Sequence, residues 1–454
     1  MTTEIRRYVR SLGLDAYVVG GAVRDELLGI PHSDEDFLVP GVDHAGLHAA
    51  LEPHGRVEDM EVHGQLVGVR FYPDDASVRA LVPSGIELTP PRIERSTGPG
   101  HHDFEIVADG NASVEDDMRR RDFTVNAIAR RLETGDLVDP FGGVADLERR
   151  VLRTVADDSF SEDPLRILRG LRLVSQLDFT LAPETVAQMR AEARGLRHVS
   201  GERIGGGVAV DGMGELSKLL LGARPGVALR LARDTGALLE VIPELEPTID
   251  YAVASPRQPH TLDEHLIAVA QATADVGAEL QVRLAGLFHD VAKPRTDGTE
   301  ESHATVGAVS TARILRRLRY PNALRDEVVR LVAGHDFRLD RDVDAAVARR
   351  FLAAHGLAQA RRLVELKRAD LSVKRVEPRE LEALERLAGG IEAESGSPHR
   401  LADLTVNGDD LLALGYREGP ALGATLARLL DAVLDDPAAN ERETLLERAR
   451  ELAP

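Results

Sequence analysis

Gly20-Gly21-Ala22-Val23-Arg24-Asp25, then Leu28-Gly29, then Asp34-Glu35-Asp36 is the stretch on which the fold turns. Upstream of it, residues 4–12 have helical spacing and residues 16–19 read as a short β-branched strand, so the paired glycines stand at a strand-to-helix turn. Residues 23–28 continue as helix until Gly29-Ile30-Pro31 stops it, and residues 36–39 read as the next strand. The opening is therefore α/β. Further strand-like segments fall at residues 65–71, 86–88 and 137–139, and the Gly/His-rich residues 96–103, with His101 and His102, read as a mobile loop. From Asp163 onward apolar residues recur every three and four positions, as in Leu165, Leu168 and Leu171, so the remainder is mostly helix. Residues 205–214, rich in glycine, interrupt it, and residues 250–260, with Pro256 and Pro259, mark a second boundary.

A chain of 454 residues exceeds one hydrophobic core, and two to four domains are expected. It contains no cysteine, which excludes disulfides, thiolate metal sites and cysteine nucleophiles and suits a reducing compartment. The first fifteen residues carry Arg6, Arg7 and Arg10 without an apolar core segment, and no run approaches the ~18 apolar residues of a membrane span. A soluble cytoplasmic protein is expected. The net charge of -20 opposes general nucleic-acid binding, because neutralising phosphates usually leaves a basic footprint. The positive charge is nearly all arginine, however, the lysines being Lys218, Lys293, Lys367 and Lys374. Arginine makes the forked contacts that phosphates and base edges favour, so a local groove for RNA or a triphosphate is compatible with the overall acidity.

In a strand-to-helix turn, Gly20 and Gly21 let backbone N–H groups approach a phosphate, the helix start adds a favourable dipole, and Arg24 can grip further phosphate oxygens. Asp34 and Asp36 alternate on an extended segment, project from one face, and suit a hard cation such as Mg²⁺. A glycine pair or a DxD alone is usually only a turn or a solvated loop; the combination at this spacing is much more specific.

Those residues resemble the first motif of the bacterial-type (class II) CCA-adding tRNA nucleotidyltransferase and poly(A) polymerase family. Arg120-Arg121-Asp122-Phe123-Thr124-Val125-Asn126-Ala127 resembles the second motif, Asp139-Pro140-Phe141-Gly142-Gly143 with Asp146-Leu147 the third, and Glu162-Asp163-Pro164-Leu165-Arg166-Ile167-Leu168-Arg169 the fourth. The resemblance spans roughly the first half of the chain. It implies Asp34 and Asp36 as catalytic ligands of Mg²⁺, and Gly20, Gly21, Arg24, Arg121, Asp122, Asn126, Asp163, Arg166 and Arg169 as nucleotide-binding residues. In the family, Arg121 and Asp122 meet the ribose and triphosphate. Asp163 and Arg166, one helical turn apart, present a base-like edge that accepts C and A and rejects G and U. Residues 201–204 resemble the start of the family's neck helix, but the glycines that follow stand where continuous helix is expected.

His289-Asp290 follows the apolar run 284–288, with His265 upstream and His303, His335 and Asp370 downstream. This ordered set resembles the HD superfamily of metal-dependent phosphohydrolases. It implies a divalent transition-type ion held by His265, His289, Asp290 and Asp370, with His303 and His335 as secondary ligands and Lys293 near a substrate phosphate. Whether such a centre turns over phosphoesters or is structural is left open by the residues.

The expected architecture is an α/β nucleotidyltransferase head with a small mixed sheet and helices, followed by an all-α body that includes an HD helical bundle. Its parts are a head at 1–150, a base-reading neck at 151–248, an HD domain at 249–376 and a helical tail at 377–454. The expected activity is addition of C, C and A to the 3′ end of tRNA from CTP and ATP, with no membrane or DNA partner and no reading of oligomeric state. Poly(A) addition, or addition of only CC or only A, uses nearly the same motifs. From another class, the chain reads as an HD phosphohydrolase whose head only binds RNA; an RNA-binding scaffold without catalysis would need neither metal constellation.

Overall fold

The computed structural model describes all residues except 1, 33–34, 63–64, 97–103, 109–111, 207–211, 340–341 and 453–454. The chain divides into two compact units, Met1–Pro243 and Glu244–Pro454.

The first unit opens with the helix Thr2–Ser11, after which strand β1 (Tyr17–Val19) runs into the helix Gly21–Leu28. Gly29, at φ 70°, ends that helix in the left-handed conformation and returns its N–H to the carbonyls of Asp25 and Glu26. Then come β2 (Asp36–Leu38), β3 (Gly55–Val62), β4 (Gln65–Pro73), β5 (Ile86–Thr89), β6 (Arg92–Ser96), β7 (Phe104–Ala108), β8 (Ala129–Arg131) and β9 (Leu137–Val138). Seven of them form one mixed sheet in the order β3-β4-β5-β2-β1-β8-β9, and β6 pairs with β7 separately. β2 is antiparallel to β1 and parallel to β5, which sets Asp36 opposite Val19 on one side and Glu87 on the other. Alternation gives the sheet its inner faces: Tyr17, Val19 and Leu38 join Met118, Ala127 and Ala129 in one buried cluster, while Val18 and Phe37 are sealed as well.

The expected strands at 16–19, 36–39, 65–71, 86–88 and 137–139 are all present, to within two residues at each end. β3 escaped the sequence reading because it lies at the sheet edge and carries Arg56, Glu58, Asp59 and Glu61 in place of an apolar run. The loop expected at 96–103 lies, beyond Ser96, outside the described residues, as do His101 and His102.

Helices dominate after Leu165. The helix Leu165–Leu177 buries Leu165, Ile167, Leu168, Leu171, Leu173 and Val174. The glycine-rich break is real in its described part: the short helix Gly201–Ile204 ends there, and a new one begins at Glu215–Leu220. Gly214 donates its N–H to the Gly205 carbonyl and Ser217 Oγ donates to the same oxygen, so the end of one helix and the start of the next meet at Gly205.

The second unit is helical throughout its named elements. Leu262–Asp275, Leu280–Phe288, His303–Arg317, Asn322–Gly334 and Leu357–Ser372 surround a sealed interior. Pro378–Ala393 buries Leu384, Leu387 and Ile391 against Leu352, Ala360 and Val364. The last helices, Gly408–Ala413, Pro420–Asp435 and Arg442–Glu451, share a cluster around Leu411, Leu429, Val433 and Leu445. No helix among the described residues is long and apolar enough to cross a membrane.

Candidate active site and a buried histidine cluster

In the first unit a cavity of about 510 Å³ collects the motifs that lie far apart in sequence. Gly21, Arg24, Asp36, Arg121, Asp122, Asn126, Asp163, Arg166 and Arg169 all line it, together with Glu87, Arg92, Arg120, Arg172 and Arg203. Gly20 sits at φ 74°, a conformation that favours glycine, and a Cβ there would fall 2.5 Å from Nη1 of Arg121 and displace that guanidinium. Its neighbour begins a helix without a side-chain cap, leaving the helix start facing the cavity.

Asp36 begins β2 and is exposed. Glu35 beside it is turned the other way: Arg6 Nε donates to its Oε1 at 2.9 Å, and its side chain is buried. Glu35 and Asp36 thus face different ways, while Asp34, the other member of the expected DxD pair, lies outside the described residues. Glu87, in register with Asp36 on β5, brings a further carboxylate to the cavity. Only the pairing of β2 with β5 reveals it. The sequence offered no more than the alternation of Ile86 and Leu88 with Glu87 and Thr89.

Asp122 is the most tightly held acid of the site. Its Oδ1 accepts from Asn126 Nδ2 at 2.8 Å and from the Phe123 N–H at 2.9 Å, and its Oδ2 accepts from Arg169 Nε at 2.8 Å. Burial works to raise its carboxyl, but the charge of Arg169 and the hydrogen bonds outweigh that and hold it well below the usual carboxylate range. Asn126 relays this to the cradle, because its Oδ1 accepts from Arg24 Nη1 at 2.7 Å. Arg24 is therefore shared among Asn126, Asp25 and the cavity.

Asp163 and Arg166 face the same cavity, the Arg166 N–H donating to the Asp163 carbonyl at 3.0 Å while their side chains reach other partners. Asp163 Oδ2 accepts from Arg203 Nη2 at 3.2 Å and its Oδ1 from the Leu165 N–H at 3.1 Å. Arg166 donates from Nη2 to the Arg120 carbonyl at 2.7 Å and from Nη1 to Ser159 and Glu162. Arg203 belongs to the segment that resembles a neck-helix start, and its approach to Asp163 across 40 residues had no local signal.

The third motif stands behind the cavity. Asp139 accepts from the N–H groups of Gly143 (2.6 Å) and Val144 (2.9 Å), and Asp146 accepts from Thr124 Oγ1 at 2.8 Å. A Cβ on Gly143 would lie 2.1 Å from the Thr124 carbonyl oxygen. These residues fix the turn Thr124–Asn126, and through it Asp122 and Asn126.

In the second unit all six sequence-predicted residues converge. His265 Nε2 lies 3.2 Å from Asp370 Oδ1, 3.3 Å from His289 Nε2 and 3.7 Å from Asp290 Oδ2. His289 Nε2 is 3.2 Å from Asp290 Oδ2, while His303 and His335 each place Nε2 3.3 Å from Asp290 Oδ1. The cluster thus has two halves that share Asp290. His289 and His335 turn Nδ1 toward the carbonyls of Gly286 (2.9 Å) and Val332 (2.7 Å), which commits Nε2 to the interior. Burial pushes His265 down to about 4 and keeps its imidazole neutral. Burial also opposes charge on His289, but Asp290 and Asp370 prevail and raise it to about 9. Both oxygens of Asp290 and Oδ1 of Asp370 are sealed from solvent without a hydrogen bond. Carboxylate oxygens so placed among imidazoles fit a divalent ion. Lys293 and Lys374 stand 2.6 Å from Asp290 Oδ2 and Asp370 Oδ1.

Known proteins match both units. Residues 16–153 fit the family model described as poly A polymerase head domain, residues 178–249 that of a probable RNA- and SrmB-binding site of polymerase A, and residues 303–449 that of a putative tRNA nucleotidyltransferase domain 2. The Bacillus stearothermophilus CCA-adding enzyme in complex with CTP superposes at a TM-score of 0.68 with 26% identity, over 99% of this chain and 96% of that one. The Thermotoga maritima CCA-adding enzyme complexed with tRNA, at 19% identity and a TM-score of 0.59 over 99% and 94% of the two chains, shares the fold. The multifunctional CCA protein of Nitrosococcus oceani is 35% identical over 71% of this chain and 75% of its own length. That of Xanthomonas campestris pv. campestris is 32% identical over 90% of this chain and 96% of its own. Likeness sustained over nearly the whole length of a relative admits one assignment: the chain belongs to the family of the multifunctional CCA proteins, which are tRNA nucleotidyltransferases.

Proposed function

We propose that this enzyme adds C, C and A to the 3′ end of tRNA, taking CTP and ATP in turn. The observation that carries the reading is the single cavity in which Asp36, the Asp122–Asn126–Arg24 relay and the Asp163/Arg166 turn meet beneath eight arginines. Hard carboxylate oxygens at Asp36, with Asp34 and Glu87 as partners, suit Mg²⁺. Bound there, Mg²⁺ supplies activation of the attacking 3′ hydroxyl and neutralisation of the departing pyrophosphate. The protein's own residues position the nucleotide. Gly20 and Gly21 open the helix start to the triphosphate, with Arg24 and Arg121 over its oxygens, and Asp122, kept ionised by Arg169, accepts from the ribose. Asp163 and Arg166 offer one acceptor and one forked donor to the base edge, which selects C or A without a template. The domain reading follows the same division of labour: head 1–150, neck 151–248, metal domain 249–376 and tail 377–454, in a cytoplasmic protein.

The test is incubation of purified enzyme with tRNA lacking its 3′ end, with CTP and ATP offered singly and together. C, C and A in order are expected, and the Asp34→Ala/Asp36→Ala variant should add nothing. Tail growth from ATP alone on unrelated RNA would replace this reading with poly(A) synthesis, and growth that stops at CC or needs a preformed CC end would make the enzyme a partial one.

A second reading rests on the second unit, where the six-residue cluster fits an HD-type phosphohydrolase centre holding a divalent transition ion. A cavity of about 770 Å³ reaches Asp370, and in its lining Arg257, Lys293, Arg338, Lys367, Lys374, Arg379 and Arg386 outnumber Asp336, Asp342 and Glu380, a setting for anionic phosphoesters. Hydrolysis of a cyclic phosphate or phosphomonoester should survive the Asp34→Ala/Asp36→Ala change. Were that hydrolysis lost with nucleotide addition, the two activities would not reside in separate centres.

A further inference from the structure

A third group of metal-ligating side chains lies in the first unit, and none of its members lines the arginine-rich cavity. Asp43 caps the helix His44–Leu51 by accepting from the Gly46 N–H at 2.8 Å, which fixes His44 in the first turn. His48, four residues on, shares its face, and the two rings stand 4.9 Å apart, centroid to centroid. Both look onto Asp59 of β3: Nε2 of His48 is 2.7 Å and Nε2 of His44 is 3.1 Å from the same oxygen, Oδ1. Hydrogen bonding accounts for the His48 contact alone. His44 Nε2 is sealed from solvent and, for all its closeness to Asp59, makes no hydrogen bond.

We propose that His44, His48 and Asp59 form a surface site for a zinc-type divalent cation that clips the helix His44–Leu51 to the edge strand β3. Bonds of ~2.0–2.1 Å in tetrahedral geometry set neighbouring ligand atoms about 3.3 Å apart, close to the 3.1 Å between His44 and Asp59. Two imidazoles and one carboxylate favour Zn²⁺, Co²⁺ or Ni²⁺ over Mg²⁺ or Ca²⁺, which take oxygen. Glu52 Oε1 stands 3.6 Å from Nδ1 on the other side of the His48 ring, beyond hydrogen-bond distance but near enough to favour charge there. Asp59 is exposed, so the fourth position opens to water. The ligands join two elements adjacent at the sheet edge and take no part in the nucleotide or phosphoester chemistry proposed above.

The experiment is equilibrium dialysis of chelator-stripped, full-length protein against Zn²⁺, comparing wild type with His44→Gln/His48→Gln and with the near-isosteric Asp59→Asn. Wild type should retain one more equivalent per chain than the double variant, and Asp59→Asn should bind that equivalent at least about tenfold more weakly. The ions bound by the His265–Asp370 cluster are common to all three proteins and cancel in the difference. Undiminished nucleotide addition by both variants shows that the head has folded. Equal zinc content and affinity in wild type and both variants would overturn the proposal.

Discussion

Asp163 is the residue whose setting bears most directly on the proposed base reading. Held by Arg203 and by the Leu165 N–H, it presents a fixed acceptor to the cavity, whereas Arg166 is anchored by main-chain carbonyls and keeps its fork oriented. Asp163→Ala should therefore lower the preference for CTP and ATP over UTP and GTP by ~1–3 kcal/mol, about 5- to 150-fold. Arg203→Ala should do so more weakly, since it loosens the acceptor without deleting it. Single-turnover competition among the four nucleotides measures both, and unchanged selectivity in Asp163→Ala would remove that residue from base reading. Asp122 makes a different prediction, about pH. Its folded pKa lies below the unfolded value of ~3.9, so its contribution to stability is present above that value and is lost as pH falls through the folded one. The stability gap between wild type and Asp122→Asn should be widest near neutrality and narrow below about pH 4. Denaturant melts across pH decide it; a gap that widens on acidification would contradict the stated balance of burial against Arg169.

At the scale of elements, the third motif shows how a turn is built to hold a site it does not touch. Gly142 and Gly143 are neighbours with opposite reasons to be glycine. Gly142 adopts φ 74° with open space around its missing Cβ, whereas Gly143 is pressed against the Thr124 carbonyl. Gly142→Ala should cost the backbone penalty alone, ~1–2 kcal/mol. Gly143→Ala should cost ~1–3 kcal/mol or more by overpacking, and should also impair nucleotide addition, because the displaced turn carries Asn126. Chemical unfolding of the two variants beside their activities separates the effects. The same scale explains which strands could be read in advance. β1, β2 and β5 are short but apolar on alternate or successive positions, and their alternation announces them. β3 is written in charges because an edge strand needs little apolar surface, and β8 is Ala129-Arg130-Arg131, with only Ala129 buried. Such strands exist through pairing, which local sequence does not encode.

For the whole molecule, metal removal is the informative perturbation. If the His265–Asp370 cluster holds ions only in the folded state, their binding adds to the stability of the second unit, by ~2.7 kcal/mol at a free concentration one hundred times Kd. Chelation should lower the melting temperature of wild type, and His265→Ala/Asp290→Ala should shrink that drop by the share this cluster contributes; a chelator effect of equal size in both would place the stabilising metal elsewhere. Taken alone, the sequence determined the class of fold and the order of the motifs, since glycine turns, alternating carboxylates and i,i+3 pairs are short-range patterns that the backbone period translates directly into shared faces, whereas the six members of the histidine cluster, spread over residues 265–370, were named only by resemblance. Tertiary structure alone decided that Glu87 joins Asp36, that the Arg203 side chain reaches the Asp163 carboxylate, that Asp146 of the third motif supports the site from behind, and that His44 and His48 meet Asp59. Each of those contacts joins segments brought together by strand register or helix packing, and such pairings depend on the whole core rather than on the residues between them.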